Sequence, residues 1–201
     1  IGASENALRL ILLSELEHFC ARYPHVRIRL LNYSAPQAVK ALENNIIDFA
    51  IVSTPVLVHK HMHQEKLVSY DEILLGGTKY KQFAQQVHYL EDISEMPLIG
   101  LCEGSSTHTH YSRFFMEHDL PFEPDMEAAM TDQVLPMITH NLGIGFYPKS
   151  LALEAIEKEL VFPIELTEPL PNRDVVVITN NHTPINSAAR RFLEFLLENR
   201  K

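Results

Sequence analysis

The sequence has no apolar stretch near the roughly 20 residues that a bilayer-spanning helix requires. Its longest runs, such as Val175–Ile178, hold about four residues, so a membrane-spanning helix is excluded. Cysteine is scarce. Cys20 and Cys102 are the two in the chain, each in apolar surroundings, which excludes a multi-bridge disulfide framework and reads as two reduced, buried thiols of a cytoplasmic protein, although spacing alone leaves a single bridge open. Positive charge is also short. Lys and Arg number 17 against 26 Asp and Glu, for a net charge of −9, and no basic patch is visible, so the chain by itself is not expected to grip a phosphate backbone.

Other signals are missing as well. Ile1-Gly2-Ala3-Ser4 has neither the basic nor the apolar region of a secretory signal; it reads as the end of a core strand entering a helix cap, and the chain is expected to be an excised domain or a processed protein. There is no Gly-x-Ser-x-Gly elbow, no Cys–His signature and no His-Glu-x-x-His, so an enzyme is not expected. What is present is apolar material, 46% of 201 residues, enough for one large or two small cores.

That material is arranged with clear periods. Ala7, Leu8, Ile11, Leu12, Leu16, Phe19 and Cys20 recur at helical spacing, with Ser4 as N-cap and Tyr23-Pro24 as the stop. Val26, Ile28 and Leu30 alternate with Arg27 and Arg29 as in a strand, Ser34-Ala35-Pro36-Gln37 is a capping box for a second helix, and residues 49–52 are a buried strand. Strand, helix, strand, helix, strand with right-handed crossovers makes an α/β fold with a mainly parallel sheet. Residues 59–65 read as a polar connection and residues 72–75 as a strand ending at Gly76-Gly77.

From Pro97 the same grammar restarts. Residues 97–101 form a strand, Gly104-Ser105-Ser106-Thr107 a cap, and Tyr111, Phe114 and Phe115 an inward helix face. Residues 126–130 are strand-like, Thr131-Asp132 a cap, and Val134, Met137, Ile138 and Leu142 a stripe in a helix that Pro136 should either kink or delay. Residues 144–148 form a short strand, a helix follows near 150–158, strands occupy 160–166 and 174–179, and residues 184–199 form a last helix.

Ile1-Gly2-Ala3-Ser4 before a long helix, Phe19 with Tyr23-Pro24, Ala41-Leu42-Glu43 followed by Asp48, Gly104-Ser105-Ser106 after a strand, and Leu142-Gly143-Ile144-Gly145-Phe146-Tyr147-Pro148 stand in this order along the chain. In this the sequence resembles the effector-binding domain of LysR-type transcriptional regulators over essentially its whole length. The resemblance implies two α/β, Rossmann-like subdomains joined by two crossovers, like the type 2 periplasmic binding proteins: residues 1–75 with 178–201, and residues 76–177. It implies a small-molecule effector bound in the cleft between subdomains, an N-terminal winged helix-turn-helix absent from this chain that would carry DNA binding, a homodimer of this domain and a tetramer at full length, with no membrane partner. The alternative is a solute-binding protein of a transporter with the same fold. The crossovers, near 52–56 and 176–179, are the expected hinges, and the first helix the expected dimer contact.

In open α/β sheets ligands gather beyond the carboxyl ends of strands, where helix starts offer N–H donors. The candidate ligand-binding residues are therefore Ser4, Glu5, Asn6, Ser34, Ala35, Ser53 and Thr54 in the first subdomain. In the second they are Ser105, Ser106, Thr107, Thr131, Asp132, Gly145 and Phe146. Such caps also serve simply to satisfy the helix starts. Glu5 occupies the niche an anionic ligand would want, so either it points away or the effector is not a simple anion. No Arg lies in any candidate loop, so bidentate recognition of a carboxylate is not written there.

His59, His61 and His63 would share one face of a strand and could suit Zn, Ni or Cu, but a solvated loop is the expected reading, with no metal and no cofactor. Peroxide-sensing members of the family carry their reactive cysteine where this chain has Ser106, and need a second cysteine nearby; Cys102 is therefore read as structural.

Overall fold

β1 (Gly2–Ala3) is only two residues long and runs through Ser4 into α1 (Glu5–Ala7), a π-helical turn (Leu8–Leu12) and α2 (Leu13–Arg22). The expected first helix is thus one continuous run with a wide turn inside it. The computed structural model describes residues 1–198, so Asn199, placed at the end of the last helix from sequence, lies outside the described residues. The chain divides into two units, Ile1–Ser69 with the chain from Asp174 onward, and Tyr70–Arg173. The boundaries read from sequence, at 75 and 178, fall inside strands. The expected hinge segments 52–56 and 176–179 lie wholly within the first unit.

The first unit also contains β2 (Leu31–Asn32), α3 (Ala35–Glu43), β3 (Ala50–Ser53) and β4 (Met62–Tyr70). From the far end of the chain come β11 (Arg173–Asn180) and α8 (Ser187–Glu198). The sheet order is β2-β1-β3-β11-β4, with β1 parallel to β2 and β3, and β11 antiparallel to β3. One face packs Ala38, Val39 and Leu42 of α3 against Ala50, Val52, Val176 and Ile178. On the other, Phe19 of α2, Phe49 and Phe192 of α8 form an aromatic cluster, with ring centroids 4.9 Å apart for Phe19–Phe192 and 5.7 Å for Phe49–Phe192.

Three expectations are corrected, two of them in this unit and the third at one cysteine of each unit. The alternation at Val26, Ile28 and Leu30 persists as partial burial, yet the strand is confined to Leu31–Asn32. The polar connection at 59–65 is in large part strand, because β4 begins at Met62. Cys20 is exposed and Cys102 half-buried, both free, so neither is the buried thiol expected. Cys20 follows the buried Phe19, and one residue turns the helix by about 100°, away from the core.

The second unit holds β5 (Glu72–Gly77), β6 (Val87–His88), α4 (Leu90–Ser94), β7 (Leu98–Leu101) and α5 (Ser106–Met116). β8 (Met126–Ala128), α6 (Thr131–Thr139), β9 (Ile144–Pro148), α7 (Lys149–Glu157) and β10 (Val161–Leu166) complete it. Strand order is β6-β10-β5-β9-β7-β8; β5 is antiparallel to both neighbours, while β7 is parallel to β8 and β9. Tyr111, Phe114 and Phe115 of α5 pack on one face with Leu74, Ile144 and Phe146. Val134 and Ile138 of α6 with Ala152 and Ala155 of α7 pack on the other against Leu75, Ile99 and Tyr147.

Met130, not Thr131 or Asp132, is the N-cap of α6. The helix is not delayed by Pro136, which sits inside it and gives up one backbone bond to the Asp132 carbonyl. Gly77, at the end of β5, has no room for a side chain: a Cβ there would lie 2.3 Å from the Ile138 carbonyl oxygen.

Candidate functional site

In the first unit the carboxyl ends of β1 and β3 are tied directly. Ser4 Oγ accepts from the Ser53 N–H at 3.2 Å, while the Ser53 hydroxyl is buried with no hydrogen-bond partner of its own. The Glu5 carboxylate accepts from Asn32 Nδ2 at 3.1 Å, which draws it sideways toward the end of β2. Asn6 is buried beneath them.

The remaining candidates of this unit have structural duties. The Ser34 N–H donates to Gln37 Oε1 at 2.9 Å, one half of the predicted capping box, and Ala35 is wholly buried in the α3 core. Thr54 is spent on β11: its N–H donates to the Asp174 carbonyl at 2.8 Å, and its Oγ1 accepts from the Asp174 N–H at 3.0 Å.

In the second unit Ser105 is the N-cap of α5, its Oγ accepting from the His108 N–H at 3.0 Å. Thr107, Thr131 and Phe146 line one narrow cavity with Glu72, Tyr111 and Gly100, so three of the sequence-predicted residues do converge. Ser106 is half-buried beside the cap, Asp132 is exposed on the first turn of α6, and Gly145 is buried in β9. Gly145 packs tightly, since a Cβ there would lie 3.2 Å from the Ile99 carbonyl oxygen.

Sequence reasoning missed the ion pair behind the wall of this cavity. Arg173, 1% exposed, extends Nη1 to Glu72 Oε1 at 3.1 Å, to Oε2 at 3.3 Å and to Thr107 Oγ1 at 3.0 Å. The Tyr111 hydroxyl donates to Glu72 Oε2 at 2.5 Å, and the guanidinium lies 5.8 Å from the Tyr70 ring centroid. An arginine therefore does reach Thr107 at the start of α5, from the first residue of β11, with its charge balanced by Glu72.

Burial works most strongly against the Arg173 cation, but Glu72 together with Tyr70 and Tyr111 outweighs it, and the net effect is a raised pKa. Burial, reinforced by Glu72, pushes the Tyr111 phenol well up. The network thus keeps its arginine charged and its tyrosine neutral at ordinary pH. It can hold Thr107 and the start of α5 in one orientation, and it has no spare positive charge with which to clamp an anion.

His110 stands next to this network, its Nε2 buried without a hydrogen-bond partner. Burial, then the nearby Arg173 cation, depresses its pKa to about 4. Because that lies below the unperturbed value of about 6.5, the unfolded chain binds the extra proton first, and stability is full above about pH 6.5 and lost progressively toward pH 4. Thermal unfolding followed from pH 7 to pH 4 should show a steeper fall for the wild type than for His110→Gln. Parallel curves would remove this role for His110.

Among the described residues no group of three or more His, Cys, Asp and Glu is placed to hold a metal ion. The His59 and His61 rings stack at 5.7 Å, and His61 stacks on His182 at 4.8 Å. His63 belongs to β4, with Nε2 3.9 Å from Glu65. Among the described residues no helix is long and apolar enough to cross a membrane.

A family profile described as the LysR substrate binding domain matches residues 1–201, the entire chain. This chain belongs to the LysR substrate-binding domain family. A relative in Bacillus velezensis, HTH-type transcriptional regulator YofA, is 21% identical over 98% of this chain and 65% of its own length. HTH-type transcriptional regulator GltR of Bacillus subtilis is 22% identical over 79% of this chain and 52% of its own. The chain thus spans between about half and two thirds of the length of these curated relatives.

Among solved structures, the regulatory domain of CcmR from Synechocystis PCC6803, in complex with 2-PG, superposes with a TM-score of 0.86. It is 16% identical, over 100% of this chain and 96% of that one. The effector-binding domain of QuiR, in complex with shikimate, gives 0.84 at 15% identity over 99% and 94%. The LysR-family domain described here accordingly has the α/β fold of two units that resembles type 2 periplasmic binding proteins.

Proposed function

We propose that this LysR-family domain is the effector-sensing part of a cytoplasmic, DNA-binding transcriptional regulator, and that its effector is a small metabolite taken up at the caps. The observation that carries the reading is the convergence of Thr107, Thr131 and Phe146 on one narrow void of about 10 Å³, two of whose wall residues, Glu72 and Thr107, are held by Arg173. In the first unit the corresponding contacts are assigned to Ser4, Glu5, Asn6 and Ser53, with the unpartnered Ser53 hydroxyl the readiest to meet a ligand. Ser34, Ala35 and Thr54 are retained as wall residues only, since the Ser34 N–H and the Thr54 hydroxyl are engaged and Ala35 is wholly buried.

DNA contact is assigned to a segment outside this chain, consistent with its charge of −9. The effector would shift the regulator between two states only by the difference in its affinity for them. A homodimer of the domain is proposed as the signalling unit; Leu13, 53% exposed on α2, supports the first helix as part of that contact. No catalytic step is assigned to any residue.

A thermal-shift screen of hydroxylated and carboxylated metabolites, with 2-PG and shikimate among them, tests the reading. A true effector at about 100 times its Kd adds about 2.7 kcal/mol, several degrees in a chain of this size. The increment should vanish in a Ser105→Ala, Ser106→Ala double variant, compared against that variant's own lower baseline, because loss of the cap alone costs about 0.5–2 kcal/mol. Equal increments in both proteins would place the effector elsewhere.

A further inference from the structure

The ladder between β5 and β10 stops at Leu74 opposite Ile164. Beyond that point Glu165 and Leu166 pair with β6, while Glu72 and Ile73 continue along β9. The two strands part, and in the gap, inside the second unit, lies a cavity of about 630 Å³. Small-molecule sites commonly fall at roughly 300–1,000 Å³.

The walls are largely apolar, from Ile73 of β5, Leu153 and Ile156 of α7, and Leu170 of the segment returning to β11. Leu153 is 48% exposed, apolar surface that an occupant would remove from water. The charges around the gap are uneven: Asp71, Glu72, Glu165 and Glu168 against Lys149. Glu72 is balanced by Arg173, and Glu168 Oε2 accepts from the Leu90 N–H at 2.9 Å. Asp71 and Glu165 are exposed carboxylates, and they leave the mouth negative beside one lysine.

We propose that the gap between β5 and β10 is a second small-molecule site, separate from the caps, for an organic cation with an apolar body, such as an arylalkylamine. Its apolar part would cover Ile73, Leu153 and Ile156, and its ammonium would sit at the acidic mouth. Glu72 lines both this gap and the narrow cavity under the caps, so an occupant here would lie beside the residue that balances Arg173.

The test is a titration of the isotope-labelled chain with 2-phenylethylamine, and with 3-phenylpropanoate and 2-phenylethanol as the anionic and neutral comparators. The amine should bind about tenfold more tightly than the anion, with amide shifts centred on Ile73, Ile156 and Glu165. Glu165→Lys, at an exposed position, should weaken the amine about tenfold and leave the circular dichroism spectrum unchanged. The Ser105→Ala, Ser106→Ala variant, which tests the effector site, should leave amine affinity unaltered. Equal affinity for the three probes, no binding by any, shifts centred on α5, or loss of amine binding in the double serine variant would each overturn the proposal. Failure of the metabolite screen alone would not touch it.

Discussion

Glu72→Ala should remove about 3–5 kcal/mol from the stability of the second unit, because it strands the Arg173 guanidinium in a dry environment. Glu72 and Arg173 are 6% and 1% exposed, and the variant also deprives the Tyr111 hydroxyl of its acceptor. The pair itself is worth much less than the loss suggests. Most of the penalty is the charge left behind, so Glu72→Leu combined with Arg173→Met should recover most of the stability, as apolar replacements of buried pairs often do. Urea unfolding of the wild type, Glu72→Leu, Arg173→Met and the combined variant gives the cycle directly, with Glu72→Ala measured beside them. A single variant that costs under about 1 kcal/mol would mean that water or another group reaches the pair, as at an exposed bridge. The combined variant should still weaken effector binding, since Thr107 Oγ1 loses its donor at 3.0 Å.

Phe146→Ala should cost a similar amount, about 3–5 kcal/mol, for a different reason. The Phe146 ring stacks on Tyr111 with centroids 4.2 Å apart and planes 16° from parallel, and meets Phe115 edge-on at 6.2 Å. Removing it opens a void under α5 and also takes away a wall of the narrow cavity. Phe146→Leu restores volume without the stacking face, so it should recover most of the stability. If Phe146 also touches the effector, the leucine variant should fold near normally yet give a smaller ligand-induced rise in Tm. Equal ligand responses in wild type and Phe146→Leu would confine Phe146 to packing, and a loss under about 1 kcal/mol in the alanine variant would contradict a filled core at this point.

The fold was legible wherever one face of an element is apolar at a fixed period. Tyr111, Phe114 and Phe115 on α5, and Val134 and Ile138 on α6, mark their helices because each buries that face against a sheet. β4 was not legible: from Met62 to Tyr70 only Met62, Leu67 and Tyr70 are buried, so no alternation shows, and the strand is set by its pairing with β11. The division of the candidate site is similar. Thr107 and Thr131 stood out because helix starts favour hydroxyls, and Phe146 through the resemblance. Arg173 and Glu72 are 101 residues apart, and nothing in the local pattern around either says that it is buried. Tyr111 was read correctly as core, but its hydroxyl's role depends on Glu72 and could not be seen without it.

The placement of β11 has a consequence for how the chain is made. β4 has β11 as its neighbour in the five-stranded sheet, yet β11 begins at Arg173, after the whole of the second unit has been synthesised. At roughly 5–20 residues per second, the gap from Tyr70 to Arg173 leaves β4 waiting about 5–20 s on the ribosome. During that interval Val52 and Ile51 of β3 also lack their antiparallel partners, Val176 and Val177. The first unit to begin emerging should therefore be the last to close, and a released fragment that ends at Arg173 should resist protease in residues 70–173 while residues 1–69 are still cut.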